Sequence, residues 1–404
     1  MLPPSTTAWI SERANELGFA MAGVVRALNF PELARNEEWL ARGYAGEMNY
    51  LRDPKRSNLE EVMPGVRSVI ICALTYNTEH MRTAQAWQES ANSESNTGHP
   101  RGWISRYAWG DDYHEVLRAK LELLLASLRE QYGEPFEGRV YSDTGPINER
   151  VLAKHAGLGW IGKNTLLLNE RLGSFFFLGA ILTTLDLEPT PGSAGTLAAD
   201  RCGSCRKCID ACPTAALVEP YVMDARKCIS YLTIELRGPI PKDLREPMGQ
   251  HIFGCDICQD VCPWNRNAPI TDMKEFQPRR FARNASEADT IASPLADPRK
   301  ETNEVGNTSI DAAKSLFRPI LEWLGSLDNQ EFGRIFRGSP LKRTKWKGLM
   351  RNVCIALGNS KPRKGSERYE RISKVLKRLA AVEEPVIAES AQWAISRIQE
   401  EESD

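Results

Sequence analysis

Residues 202–213 read C-G-S-C-R-K-C-I-D-A-C-P, and residues 254–263 read G-C-D-I-C-Q-D-V-C-P. Cys202, Cys205, Cys208 and Cys212 therefore stand at C-x2-C-x2-C-x3-C-P spacing. Cys255, Cys258 and Cys262 repeat the end of that pattern, with Cys228 alone before them. Three closely spaced thiolates reach one face of a metal–sulfur cube, and the cysteine before proline closes the other cube of a pair. The spacing assigns Cys202, Cys205, Cys208 and Cys262 to one 4Fe–4S cluster, and Cys212, Cys228, Cys255 and Cys258 to a second. The long gap from Cys228 to Cys255 departs from a simple repeat. Zinc sites favour separated C-x2-C pairs rather than this triplet. A disulfide framework belongs to small secreted domains, which this chain of 404 residues does not resemble.

The cysteines define a ferredoxin-like α+β module over residues 196–270. Clusters with all four thiolates in place offer no open position to a substrate and move single electrons. The chemistry they serve belongs elsewhere in the chain. The length predicts two or three domains, and a net charge of −1 implies no particular partner. The N-terminal stretch has no basic-then-apolar export signal, and the most apolar run, Ser174–Leu185, is too short to span a bilayer. The expected compartment is the cytoplasm, with no membrane partner and a monomeric chain.

Residues 1–195 alternate strand and helix patterns, which predicts an α/β domain. Helices are expected at residues 7–20, Tyr113–Tyr132 and Asn148–Gly157. Strands are expected at Val66–Leu74, Arg139–Ser142 and Gly173–Leu185. Met81–Arg101 is polar and reads as a surface insertion, and Leu187–Leu197 as a linker. Residues 271–310 read as a linker or wrapping segment. Residues 311–404 form a small all-α domain, with helices at Phe317–Leu324, Asn329–Phe336, Lys347–Leu357, Tyr369–Leu379 and Pro385–Glu400. Its R-N-V-C-I-A-L-G-N-S segment (351–360) has the look of a HEAT-type helix.

Three stretches before residue 195 are candidates for the chemistry. Asp143, in Y-S-D-T-G-P-I-N-E-R, follows a strand and opens a tight turn, a place from which a carboxyl reaches a cleft. An Asx-turn or a helix cap is the competing reading, and turn chemistry alone favours it. In A-K-H-A-G-L-G-W-I-G-K-N (153–164), Gly157, Gly159 and Gly162 free the backbone to approach a flat or phosphate-bearing ligand. Lys163 stands ready for a phosphate or amide, or for solvent; His155 reads better as a partly buried structural residue. Trp103, Tyr107, Trp109 and Tyr113 line a planar pocket or begin an ordinary core. Cys72 and Cys354 sit in apolar runs and belong to the core.

The charge is segregated. From Phe332 to Ser366 there are ten basic residues and no acidic ones. Lys342, Arg343, Lys345, Lys347 and Arg351 are the proposed phosphate contacts of a nucleic-acid face. Trp346 either stacks on a base or packs in the core.

S-R-Y-A-W-G-D-D-Y-H, D-T-G-P-I-N-E-R, H-A-G-L-G-W-I-G-K-N-T-L-L, the first cysteine run, C-I-S-Y-L-T-I-E and the second cysteine run stand in one order. In that order the chain resembles the epoxyqueuosine reductases from about residue 10 to the R-N-V-C-I-A-L-G-N segment. The resemblance implies cobalamin in the N-terminal α/β domain (1–195), two 4Fe–4S clusters, an external low-potential electron donor, and reduction of epoxyqueuosine to queuosine in the wobble position of tRNA. It makes Asp143 the proton donor and places Arg56, Tyr107, Asp143, Lys163 and Ser230 around the corrin; the charge segregation, read independently, gives tRNA to the C-terminal helices. The D-x-H-x-x-G signature of many cobalamin proteins is absent, since Glu115, Val116 and Leu117 follow His114. A cobalamin-dependent reductive dehalogenase and a plain electron-transfer ferredoxin are the rival readings. The first has no use for a basic helical tail, and the second none for a long N-terminal domain.

Overall fold

The computed structural model describes residues 6–82, 98–133, 135–190, 198–281 and 315–400. The insertion at Met81–Arg101, the linker at Leu187–Leu197 and the segment 271–310 fall largely outside these residues. The chain divides into two compact units, each assembled from three stretches. One takes Met1–Glu79, Tyr113–Arg226 and Cys258–Thr271; the other takes His80–Asp112, Lys227–Ile257 and Asp272–Asp404.

The first unit is built on a four-stranded sheet. Its strands are β1 (Met21–Arg26), β2 (Ser68–Thr75), β3 (Gly138–Tyr141) and β4 (Phe176–Thr183), in the order β1-β2-β4-β3. Every neighbouring pair is antiparallel, and Ile70 lies opposite Val24 on one side and Ile181 on the other. The α/β expectation is corrected in this respect: strands alternate with helices along the chain, but no pair in the sheet is parallel. Alternation in sequence fixes neither strand direction nor order.

Helices α1 (Thr6–Glu16), α2 (Glu32–Ala41), α3 (Tyr113–Tyr132) and α4 (Glu149–His155) accompany the sheet. The leucines of α3 at 117, 121, 124, 125 and 128 are buried and fall on one helical stripe. That stripe packs against β4. Val69, Ile71, Ala180 and Leu182 pack with Leu152, Ala153 and Ala156 from α4 and its end. Seven consecutive residues of β2, from Ser68 to Leu74, are buried. A strand covered on both faces reads as a continuous apolar run rather than an alternating one. Strand β1 and helix α2 were not among the expected elements.

In the second unit, Trp103–Ile104 pairs in parallel with His251–Phe253. The helices are α5 (Ile229–Ile234), α6 (Leu321–Ser326), α7 (Asn329–Ile335), α8 (Lys345–Gly358), α9 (Glu367–Ala380) and α10 (Pro385–Glu400). Helix α8 is buried at every residue from Leu349 to Gly358 and packs against α6, α9 and α10. The closest approach is at Gly358, where a Cβ would lie 2.9 Å from Trp393 and 3.0 Å from the Ala394 backbone. Asp328 caps α7 through a reciprocal pair: its carboxylate accepts from Glu331 N–H at 2.7 Å, and Glu331 accepts from Asp328 N–H at 2.9 Å. The helix expected over Phe317–Leu324 begins only at Leu321. Arg318, held before a proline, takes φ +51°, and Phe317 turns its ring to His80 and Trp109 at 4.6 and 5.2 Å. No helix among the described residues is long and apolar enough to cross a membrane.

In the first unit, Glu32 at the start of α2 meets the end of α4. It accepts from Lys154 at 2.6 Å and lies 3.0 Å from His155, whose ring stacks on Phe30 at 3.9 Å. Burial opposes the charge on Glu32, but the hydrogen bonds from Lys154 and His155 outweigh it and hold the carboxyl at about 2. A carboxylate lowered on folding stabilises the native state above its unfolded pKa, and the stabilisation is lost as pH falls toward the folded value. Acid unfolding followed from pH 5 to pH 2 should therefore be shallower in Glu32→Gln than in the parent chain.

Candidate functional site

The first cysteine set lies wholly within the first unit. Cys202 and Cys262 join an apolar cluster with Trp160, Leu168 and Trp264. The two indoles meet edge to face, 5.1 Å apart. Burial raises the thiol pKa of Cys202, Cys208 and Cys262. Cys208 feels the charges of Cys262 and Cys202, and Cys262 those of Cys202 and Cys205. Three buried thiols that resist ionising beside one another need a cation, and a 4Fe–4S core is one that takes thiolates. Backbone N–H groups of Lys163, Trp264 and Asn265 already favour the thiolates of Cys202 and Cys262. The buried Trp160 Nε1 faces the Cys202 sulfur and favours its thiolate. The donor set fits the group.

This loop is anchored by residues that the spacing could not reveal. Asn265 is fully buried. It donates to Ser174 Oγ at 2.9 Å and to the Gln259 carbonyl at 2.8 Å, and accepts from Ser174 N–H at 2.7 Å. Gln259 donates to Ser174 Oγ at 3.0 Å and to Tyr76 Oη at 3.2 Å. Nothing in the sequence links residues 76, 174, 259 and 265, because the network closes only when distant segments meet.

The glycines near residue 160 serve the chain itself. Trp160–Ile161 pairs with Leu167–Leu168 as a short ribbon. At Gly159, φ is +155° and a Cβ would collide with the Leu168 carbonyl. That internal contact accounts for Gly159, while a Cβ at Gly157 would meet open space. Lys163 is buried, and its ammonium donates to the carbonyls of Gly203 and Cys205. These two contacts tie it to the cysteine loop.

Of the second set, Cys212 and Cys258 belong to the first unit and Cys228 and Cys255 to the second. Cys212 Sγ accepts from Ala216 N–H at 3.3 Å. Cys228 stands immediately before α5. Cys255 is followed by Asp256, a buried carboxylate that accepts from the Ser105 hydroxyl and from Arg106 N–H at 2.7 Å. Trp103 and Trp109 are core residues there, and Tyr107 packs toward Phe253 at 6.1 Å. Ser230, in the first turn of α5, is half-buried. Cys72 and Cys354 are fully buried, which pushes both thiols far above the usual range.

Asp143 sits in a left-handed turn at φ +57°, its side chain 68% exposed. It accepts from the Tyr113 hydroxyl at 2.7 Å and lies 3.4 Å from His114 Nε2. The Tyr113 ring stacks on both His114 and Phe177, at 4.0 and 4.4 Å. The capping reading is not realised, since Asn148 precedes α4. Arg56 grips the same turn through its backbone: it donates to the carbonyls of Gly145 at 3.2 Å and Ile147 at 3.3 Å. Glu149, which sequence reasoning passed over, is the carboxyl raised by its surroundings. Burial, reinforced by the charge on Asp143 and opposed by Arg56 and Arg150, pushes it up to about 7. Its Oε1 is buried without a partner among the described residues. A glutamate in a first helical turn gives no sequence signal of that burial.

Residues 201–265 match a 4Fe-4S double cluster binding domain, and residues 56–144 match the domain described as epoxyqueuosine reductase QueG, DUF1730. An epoxyqueuosine reductase of Gloeobacter violaceus is 42% identical over 361 residues, 88% of this chain and 97% of its own. That of Pseudomonas aeruginosa is 36% identical over 390 residues, 96% of this chain and 93% of its own. The chain belongs to the epoxyqueuosine reductase family. A crystal structure of an epoxyqueuosine reductase with a tRNA-Tyr epoxyqueuosine-modified stem loop matches with a TM-score of 0.76 at 29% identity, over 96% of this chain and 89% of that one. An epoxyqueuosine reductase from Bacillus subtilis, whose catalytic aspartate loop is swung out of the active site, matches with a TM-score of 0.74 at 28% identity, over 96% and 89%.

The basic block of this epoxyqueuosine reductase family member divides in two. Lys342, Arg343, Lys345 and Lys347 are exposed. Arg343 pairs with Glu235 at 3.0 Å and Lys347 with Glu384 at 2.6 Å. Trp346 packs on the core and donates to the Leu327 carbonyl at 2.9 Å. Arg351, expected to meet phosphate, is instead fully buried. It donates to the carbonyls of Leu232, Leu236 and Gly238 at 2.5, 2.8 and 2.7 Å. Charge in a sequence window does not show which way a helix faces. Arg351→Ala leaves those carbonyls buried and unpaired and should cost about 3 kcal/mol of stability, read by denaturant unfolding of the second unit.

Proposed function

We propose that this chain reduces epoxyqueuosine to queuosine in the wobble position (34) of tRNA. Family membership over nearly the whole chain carries the reading, and the likeness to a reductase bound to a modified tRNA stem loop supports it. Residues 1–195 are the cobalamin-binding catalytic part, 196–270 the two-cluster module, 271–310 a connecting segment, and 311–404 a HEAT-like helical part that binds tRNA. When bound, the clusters and cobalamin supply low-potential electrons, drawn from an external donor.

Deoxygenating an epoxide to an alkene releases the oxygen as water and consumes two electrons and two protons. An alkoxide leaves poorly, so an acid must meet the oxygen. Asp143 is that acid. Its carboxyl is exposed to an incoming substrate, and Tyr113 and His114 hold its Oδ2. Arg56 fixes the turn that presents it. Glu149, raised to about 7, keeps a proton near neutrality close to Asp143 and is the source of the second. The exposed Lys342, Arg343, Lys345 and Lys347 meet the RNA backbone, where each phosphate contact releases counterions.

Anaerobic turnover of epoxyqueuosine-containing tRNA, with reconstituted clusters, cobalamin and a strong reductant, is read by nucleoside mass spectrometry. Cobalamin-dependent formation of queuosine is the expected result; no conversion by fully loaded protein would overturn the reading. Asp143→Asn should keep its iron and its affinity for tRNA yet lose turnover by about 100-fold or more. Replacing Lys342, Arg343, Lys345 and Lys347 together by Glu should weaken tRNA binding by about 10-fold or more and flatten its salt dependence, in a filter-binding series at two salt concentrations.

A further inference from the structure

We propose that Lys163 and Asp200 set the reduction potential of the cluster held by Cys202, Cys205, Cys208 and Cys262, as opposed charges built against the same loop. The inference rests on assigning those four cysteines to one cluster.

Lys163 is 9% exposed, and its ammonium donates to the Cys205 carbonyl at 3.0 Å and to the Gly203 carbonyl. A buried cation is costly unless something negative answers it. Two carbonyl oxygens need only neutral donors. The thiolates of the same loop and the Asp200 carboxylate, which feels the Lys163 charge, are what a full positive charge answers.

Asp200 brings the opposite charge to the same loop. Its Oδ1 accepts from Cys202 N–H at 2.8 Å, and its Oδ2 accepts from the Tyr221 hydroxyl. The Tyr221 N–H in turn donates to the Lys163 carbonyl at 3.1 Å. Among the other charges of the loop, Arg201 pairs with Glu170 at 2.5 Å and Arg206 with Asp210 at 3.5 Å, while Lys207 is exposed and screened by solvent.

A 4Fe–4S cluster with four thiolates is negative, and reduction adds one more negative charge. A fixed cation nearby stabilises the reduced form more than the oxidised form and raises the potential; a fixed anion lowers it. Lys163 is buried and Asp200 exposed, so solvent screens the aspartate more and its effect is the smaller.

The test is a mediated redox titration of purified protein followed by electron paramagnetic resonance, with iron and sulfide assayed in every sample. Cys208→Ser marks the signal that belongs to this cluster. Lys163→Gln removes the charge and should move that midpoint to more negative potential, while Lys163→Arg leaves it near the parent value. Asp200→Asn keeps an acceptor for Cys202 N–H and should move the same midpoint the opposite way by less. The second midpoint stays in place throughout. Unchanged midpoints in clusters-intact Lys163→Gln and Asp200→Asn, or shifts of the same sign, would overturn the proposal. If Lys163→Gln fails to hold iron, the sign of the Asp200→Asn shift decides alone. Parent protein reconstituted without iron and sulfide for two clusters would overturn the cluster assignment itself, a separate result.

Discussion

Thiolates repel one another, and four of them in one place are tolerable only around a cation. That constraint organises the first unit. The sequence can place three of these cysteines on one short loop, but Cys262 comes from a segment some fifty residues on. It must be carried back and held, which is the task of the Asn265, Ser174 and Gln259 network. The flanking indoles of Trp160 and Trp264 then remove water from one side. Each of these contacts is polar or aromatic and buried, so each depends on the others being in place.

The same logic separates the two ends of the proposed chemistry. Electron carriers are best kept rigid and dry, whereas an acid that meets a large substrate must be reachable. Asp143 is exposed on a turn with left-handed backbone, yet Arg56 binds that turn by two carbonyls and Tyr113 by the carboxylate. The carboxyl that the protein interior raises is a different one, Glu149. The charge on Asp143 is itself one of the causes that raise Glu149.

Local patterns were legible where one physical period dominates. The leucine stripe of Tyr113–Tyr132 and the apolar run ending at Leu74 appear in the structure nearly as written, and the metal-ligand spacing matches a double-cluster domain. What was not legible depends on distant partners. Sheet direction is invisible in an alternating pattern, so the antiparallel order was missed. Arg351 and Lys163 carry the same charge as their exposed neighbours, and only the packing of α8 and of the cysteine loop shows that both are buried. The glycines at 157–162 advertised backbone freedom without saying which neighbour would use it. Strand β1 is short and follows a glycine, and its pairing with β2 is what makes it a strand.

Ten cysteines stand in the chain, yet two are sealed away: Cys72 in the middle of the sheet and Cys354 in the most enclosed helix of the second unit. Burial keeps both as neutral thiols. A thiol reagent meeting the folded chain therefore finds these two out of reach, and seven of the other eight cysteines, those proposed to hold the clusters, are only half-buried.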